Sequence, residues 1–349
     1  MSMSGSLTPL VVRFGAFGDM LLLVPMLKAL ARRFGRPCDL ISSGLWTSPL
    51  MERVPACGPV RLLSSRRAPY WFNRSQWELV NWLRRRPAGP VYVFEPDEKS
   101  HWLLQRGGIK SEWICSMRDL PRLPGENILD HALRLARQTP AGLGGPSAFP
   151  AAATFAPDAR PTITDADRRD CQDWLELRGL VGAPLILVQP GNKKTMRRGR
   201  RQRTTNIKYW PESNWARVIC AVRESLPASR ILICGSPAER DLAESIRQQS
   251  ACDGVLVATD DLPIPRLLAL LEVAHSMISV DTGPAHCAAA MGCPLAVLFA
   301  RVDPALYAPT PTTASVRLVL PPDPAAPMTA IAPESAIVSW RELPARAAG

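Results

Sequence analysis

Val280-Asp281-Thr282-Gly283-Pro284-Ala285-His286 lies between two apolar runs. Before it, Ser276 to Val280 reads as a short buried strand. After it, Cys287 to Met291 reads as a helix closed by Gly292 and Pro294, and Leu295 to Phe299 as a second strand. An Asp-Thr-Gly turn that opens a helix presents N–H groups without intrahelical partners at the positive end of a helix dipole. That combination suits a phosphate or diphosphate. The same residues also read as a plain cap, with Asp281 or Thr282 at the N-cap and Pro284 in the first turn. Taken alone, the seven residues leave both readings open.

The chain upstream repeats one unit. Leu185 to Gln189 is a strand ending in Pro190-Gly191, followed by a basic loop and a helix from about Glu212 to Ser225. Arg230 to Cys234 is a strand that turns at Gly235-Ser236 into a helix through about Gln248, and Val255 to Ala258 and Ile264 to Ala274 are strand and helix again. Repeated βα units of this length imply a parallel sheet with helices on both faces. Ligands in such sheets bind outside the carboxyl ends of the strands, the edge occupied by Pro190-Gly191, Gly235-Ser236 and Asp281-Thr282-Gly283. The first half alternates too. Leu10 to Phe14, Cys38 to Ser42 and Val91 to Glu95 are strands, and Met20 to Phe34, with an internal Pro25, and Asn127 to Gln138 are helices. Thr139 to Pro161, rich in Pro, Ala and Gly, reads as a linker.

At 349 residues the chain exceeds the size at which one core stops growing, which implies two domains of about 150 residues each. A hydrophobic share of 46% fits packed cores, not disorder. Nine cysteines without a Cys-x-x-Cys spacing, and no signal-peptide pattern, point to a reducing cytoplasm; with four scattered histidines, no metal site is expected. No run reaches the ~20 apolar residues that span a bilayer. The net charge of +11 selects partners that carry negative charge: nucleic acid, anionic lipid or a phosphorylated substrate. Arginines dominate in Arg66-Arg67, Arg84-Arg85-Arg86 and the run from Lys193 to Arg203, and suit bidentate phosphate contacts. Each cluster also reads as a solvated face.

Two further stretches accompany the opening one. Leu10-Val11-Val12-Arg13-Phe14-Gly15-Ala16-Phe17-Gly18-Asp19 runs into Met20 to Val24 and Pro25, and Lys208-Tyr209-Trp210-Pro211-Glu212 stands in the middle of the chain. In order and spacing the three resemble the ADP-heptose:lipopolysaccharide heptosyltransferases, glycosyltransferase family 9, over about residues 10 to 305. The resemblance implies an α/β GT-B fold, two Rossmann-like domains with parallel sheets facing across a cleft. Residues 1–155 would bind the acceptor and 156–330 the nucleotide sugar. The tail, 331–349, would carry a short helix around Glu334 to Trp340 that crosses back to the first domain. It also implies an inverting transfer from ADP-heptose to a phosphorylated glycolipid, the lipopolysaccharide core. That transfer would need no metal or resident cofactor and would take place at the cytoplasmic face of the inner membrane, in peripheral contact with its anionic surface.

Under that resemblance Asp19 is the base for the acceptor hydroxyl. By local sequence it equally caps a helix beginning at Met20. Lys208 would neutralise the departing diphosphate, or is a surface lysine ahead of the packing residues Trp210-Pro211. Thr204 and Thr205 would donate hydroxyls to the same phosphates. Asp281 would accept from sugar hydroxyls, Thr282 and Gly283 would hold phosphate, and His286 would touch phosphate or sugar or be a satisfied, partly buried histidine. Glu239 fits a capping box with Ser236; the family places a glutamate here at the donor ribose. Leu262 is an adenine contact or core. Arg66, Arg67, Lys193 and Arg197 are expected to touch acceptor or phosphate, and the basic run from Lys193 to Arg203 departs from the family. Alternatives are a GT-B enzyme of another nucleotide sugar or glycan, a catalytically retired binding protein, and a nucleic-acid-binding protein. The last lacks the interleaved aromatics of a base-stacking platform, and no nucleic-acid partner is expected.

Overall fold

The computed structural model describes residues 7–65, 69–144, 158–192, 206–309 and 316–345. Arg66, Arg67, Lys193, Arg197, Thr204 and Thr205 therefore lie outside the described residues, as does most of the expected linker. The chain divides into two compact units, Met1–Thr162 and Ile163–Gly349. The division falls later than the expected 155. Lys28 Nζ bonds to Asp158 Oδ2 at 2.7 Å and the Arg160 carbonyl at 2.9 Å, and Thr162 N–H donates to the Arg53 carbonyl at 2.6 Å, so these residues belong to the first unit.

The first unit runs β1 (Leu10–Val12), α1 (Phe17–Leu22), α2 (Val24–Phe34), β2 (Cys38–Ser42), α3 (Thr47–Met51), β3 (Cys57–Leu62), α4 (Arg74–Arg85), β4 (Val91–Val93), α5 (Glu98–Arg106), β5 (Ile114–Ser116) and α6 (Ile128–Ala136). Its five strands are parallel, in the order β3-β2-β1-β4-β5. Leu10, Val12, Val91 and Val93 are buried against Leu79, Val80, Leu83, Leu103 and Leu104 of α4 and α5. The helix expected from Met20 to Phe34 is two helices that part at Leu23, and it begins three residues early. Pro25 is the cause: it lacks an N–H and is favoured in the first turn of α2, not the interior of one long helix.

The second unit runs α7 (Asp165–Leu177), β6 (Leu185–Gln189), α8 (Glu212–Ser225), β7 (Arg230–Cys234), α9 (Arg240–Ser250), β8 (Val255–Ala258), α10 (Ile264–Val273), β9 (Ser276–Val280), α11 (Gly283–Ala290), β10 (Leu295–Leu298), α12 (Pro304–Tyr307), β11 (Val316–Val319) and α13 (Pro333–Arg341). Its six parallel strands follow the order β11-β10-β9-β6-β7-β8. Both sheets thus reverse their winding at one point, between β1 and β4 and between β6 and β9, and crevices at such points take ligands.

The described part of the tail packs within the second unit. Ala336 and Trp340 of α13 are buried in the core of the second unit with Met328 and Ile331. Trp340 Nε1–H donates to Ser276 Oγ at 2.9 Å, fixing α13 on β9. Trp210 is likewise packed: it is 1% exposed, meets Trp215 edge-on at 4.9 Å and donates to the Ile331 carbonyl at 3.0 Å. An indole needs a polar partner when buried; the tail supplies it for Trp210, and β9 supplies it for Trp340. Among the described residues no helix is long and apolar enough to cross a membrane.

Candidate active site

The winding reversal of the second sheet collects the opening stretch. Val280 ends β9, Thr282 stands at the N-cap of α11 without a side-chain bond to it, and Pro284, which has no N–H, occupies the first turn. The Ala285 and His286 amides bond back to the Thr282 carbonyl. Among the described residues, the amides of Thr282 and Gly283 are the donors left for an incoming acceptor at this helix end.

Lys208 reaches this point from the far side of the basic segment. Its Nζ donates to the Asp281 carbonyl at 2.9 Å and to Asp281 Oδ2 at 2.5 Å. The Asp281 side chain is 8% exposed and that of Lys208 24%, so the pair is sheltered on the acidic side and open on the basic side. His286 Nε2 lies 3.8 Å from the other Asp281 oxygen. The backbone that delivers Lys208 is ordered by two asparagines missed in the sequence. Asn206 accepts the Lys208 amide at 3.2 Å and donates to Asn192 Oδ1 at 3.4 Å, tying the two described ends of the basic segment together. Trp210, two residues on, anchors the same turn in the core.

Glu239 sits beside the loop after β6. Its Oε2 accepts from the amide and hydroxyl of Ser236, each at 2.7 Å, which is the expected capping box. Its Oε1 is buried and lacks a hydrogen-bond partner among the described residues. A Cβ on Gly191 would lie 2.1 Å from that oxygen, so only glycine admits this close approach. An orphaned carboxylate oxygen is costly unless something hydrogen-bonds to it. The capping box therefore occupies one carboxylate oxygen of Glu239 and leaves the other without a hydrogen bond.

Leu262 lies half-buried in the loop after β8. That loop is clamped through Asp261, whose Oδ2 accepts from Trp174 Nε1 at 2.7 Å and from Arg178 at 2.5 Å. Burial pushes the Asp261 carboxyl up, but the indole and guanidinium outweigh it and hold the group below the usual carboxylate range.

The winding reversal of the first sheet holds Asp19. It is the third residue of α1, not the residue before a helix. Its Oδ2 accepts the Ala16 amide at 2.8 Å and its Oδ1 pairs with Arg13 at 3.2 Å. A Cβ on Gly15 would lie 2.4 Å from Asp19 Cβ, so Gly15 makes room for the carboxylate. The side chain remains 29% exposed, and a carboxylate offers more lone pairs than these two donors use. Glu95, absent from the sequence candidates, completes the cluster. It is 4% exposed, accepts the Phe14 amide at 2.5 Å and lies 3.7 Å from Arg13, whose Nη1 also donates to the Phe94 carbonyl at 2.9 Å. The signal for it was a charge at the carboxyl end of a buried strand. Among the described residues no three or more of His, Cys, Asp and Glu cluster as a metal site would need.

Two parallel-sheet units, each with polar groups gathered at its winding reversal, define an α/β protein of the GT-B class. Solved structures agree on the fold. The glycosyl transferase family 9 protein of Veillonella parvula matches with a TM-score of 0.75 at 16% identity, over 98% of each chain. The ADP-heptose lipopolysaccharide heptosyltransferase II of Escherichia coli matches at 0.71 and 16%, over 96% of this chain and 97% of that one. A heptosyltransferase of Escherichia coli solved with ADP matches at 0.69 and 16%, over 96% and 99%. Lipopolysaccharide heptosyltransferase 3 of Escherichia coli is 28% identical over 131 residues, 37% of this chain and 35% of that protein, so the match spans about a third of the relative. The model of glycosyltransferase family 9 (heptosyltransferase) matches residues 112–330. The chain belongs to that family. The matched range holds Lys208, Glu239 and Asp281 and leaves Asp19 outside.

Proposed function

We propose that this protein transfers a heptose from ADP-heptose to the core of a lipopolysaccharide acceptor with inversion at the anomeric carbon. The observation that carries the reading is Lys208. In a chain of the heptosyltransferase family, its ammonium is held on Asp281 beside a helix end whose Thr282 and Gly283 amides await an acceptor. A diphosphate placed there meets the Lys208 ammonium, whose charge Asp281 partly offsets, and two amide donors, preorganised before the reaction.

In the proposed step the acceptor hydroxyl passes its proton to the open side of the Asp19 carboxylate while its oxygen attacks the anomeric carbon. The bond from that carbon to the diphosphate oxygen breaks, and its electron pair leaves with ADP. Lys208 and the α11 amides take up the charge that grows on the leaving group, and a divalent ion is not required. Asp281 positions Lys208, and His286 stands where it contacts the diphosphate or the donor sugar. Glu239 Oε1 accepts from the ribose hydroxyls, and Leu262 lies against the adenine. A phosphorylated glycolipid acceptor brings the enzyme to the cytoplasmic face of the inner membrane.

The test is ADP release from ADP-heptose with and without a deep-rough lipopolysaccharide acceptor, in chelator-treated buffer. Acceptor-dependent release is the expected result. Release only from another nucleotide sugar would keep the GT-B reading and reject the donor; release restored only by divalent ions would reject the metal-free step.

A further inference from the structure

The first unit carries an unusual outer surface. The short 3-10 helix Tyr70–Phe72, between β3 and α4, leaves Trp71 68% exposed and Phe72 88% exposed, and Trp77 of α4 and Trp102 of α5 are each 43% exposed. Tyr70 stands among them, with ring centroids 5.7 Å from Trp71, 6.2 Å from Trp77 and 5.6 Å from Trp102. The Arg106 guanidinium lies over three of these rings, 4.3 Å from Tyr70, 4.7 Å from Trp102 and 5.4 Å from Trp71. By contrast Trp174, Trp210, Trp215 and Trp340 of the second unit are all buried. Single exposed apolar side chains are ordinary, whereas a contiguous cluster marks an interaction site.

We propose that this aromatic–arginine surface docks the protein onto an anionic lipid bilayer. Trp and Tyr rings with flanking arginines are the composition that settles at the headgroup level of a membrane, where amphipathic rings and cations are both satisfied. Charge complementarity supports the same partner. Among the described residues of 61–118, seven Lys and Arg are exposed against three Asp and Glu, and basic segments are drawn to anionic leaflets. The proposal deepens the reading of a glycolipid acceptor and rests on it only for why a bilayer is at hand. Vesicle binding is measured without donor or acceptor, so the two fail separately.

The experiment is co-sedimentation of the full chain with vesicles of phosphatidylglycerol and phosphatidylethanolamine, and with phosphatidylcholine vesicles. Binding to the anionic vesicles and little to the zwitterionic ones is expected, with a blue shift of tryptophan emission. The double variant Trp71→Ser, Phe72→Ser should lose about tenfold or more in vesicle affinity. Val338→Ser, which removes an exposed side chain from α13 (52% exposed), should lose none. Both changes lie at the surface, and unchanged thermal melting confirms folding. Equal binding by the double variant and wild type overturns the proposal, as does no binding to anionic vesicles. So does a double variant that binds vesicles normally but loses self-association or retention of a soluble oligosaccharide, which would assign the surface to a second copy or a glycan.

Discussion

The two winding reversals share a topology and differ in charge. Between β1 and β4, one guanidinium, Arg13, serves two carboxylates, Asp19 and Glu95, so the cluster is formally negative. Between β6 and β9, one carboxylate, Asp281, serves Lys208 and stands near His286, beside amides left for an acceptor. The first is suited to take a proton, the second to hold an anion. The fold therefore fixes where a site lies, and the residues after each strand decide what that site does.

The largest effect is expected from Asp19→Asn. The amide oxygen still accepts from Ala16 N–H, but the base is gone and the amide NH2 cannot accept from Arg13, so turnover should fall about 10²–10⁴-fold with a much smaller loss of thermal stability. Asp19→Ala should lose, in addition, about 1 kcal/mol of helix capping. Full turnover by Asp19→Asn would break the comparison and leave the first reversal a structural joint. Next is Lys208→Ala, expected to lower turnover about 10²–10³-fold through the leaving group. It also strands a buried carboxylate. The double variant Lys208→Met, Asp281→Asn should recover the melting temperature lost by the single change without recovering turnover. Gly191→Ala should weaken donor binding about tenfold, because the new Cβ displaces Glu239 Oε1; calorimetric titration with ADP reads it.

The smallest effect is a pH dependence at the loop of Leu262. Asp261 holds its proton less tightly folded than unfolded. Its stabilisation is therefore complete above the unfolded carboxylate value and is lost as pH falls through the lowered folded one. Melting temperatures taken from about pH 5 to pH 3 should drop less steeply for Asp261→Asn than for wild type.

The strands at the centre of each sheet were legible because they are continuous apolar runs ended by Gly, Pro or Asp, and they placed three loops on one edge. Of the four edge strands, β8 was read at its observed bounds and β3, β5 and β11 were not. β3 contains Gly58 and Pro59, which an edge tolerates and an interior strand does not, and β5 has only three residues. Asp19, Lys208 and Asp281 were legible as residues, but not as partners, since 73 positions separate Lys208 from Asp281 and only the pairing of β6 with β9 brings them together. Arg13 and Glu95 escaped for the same reason: Val12 pairs with Val93, and that register alone sets Arg13 beside Phe94 and Glu95. The fate of the tail was hidden in Trp210 and Trp340, whose indole N–H groups needed acceptors that the sequence does not name.

The most direct test of this division of labour is the affinity for ADP of wild type, Asp19→Asn and Lys208→Ala, measured side by side by titration calorimetry. Asp19→Asn should bind ADP as wild type does while Lys208→Ala binds it at least about tenfold more weakly. Wild-type affinity in Lys208→Ala, or an equal loss in Asp19→Asn, would contradict the assignment of the anion site to the second reversal and of the base to the first.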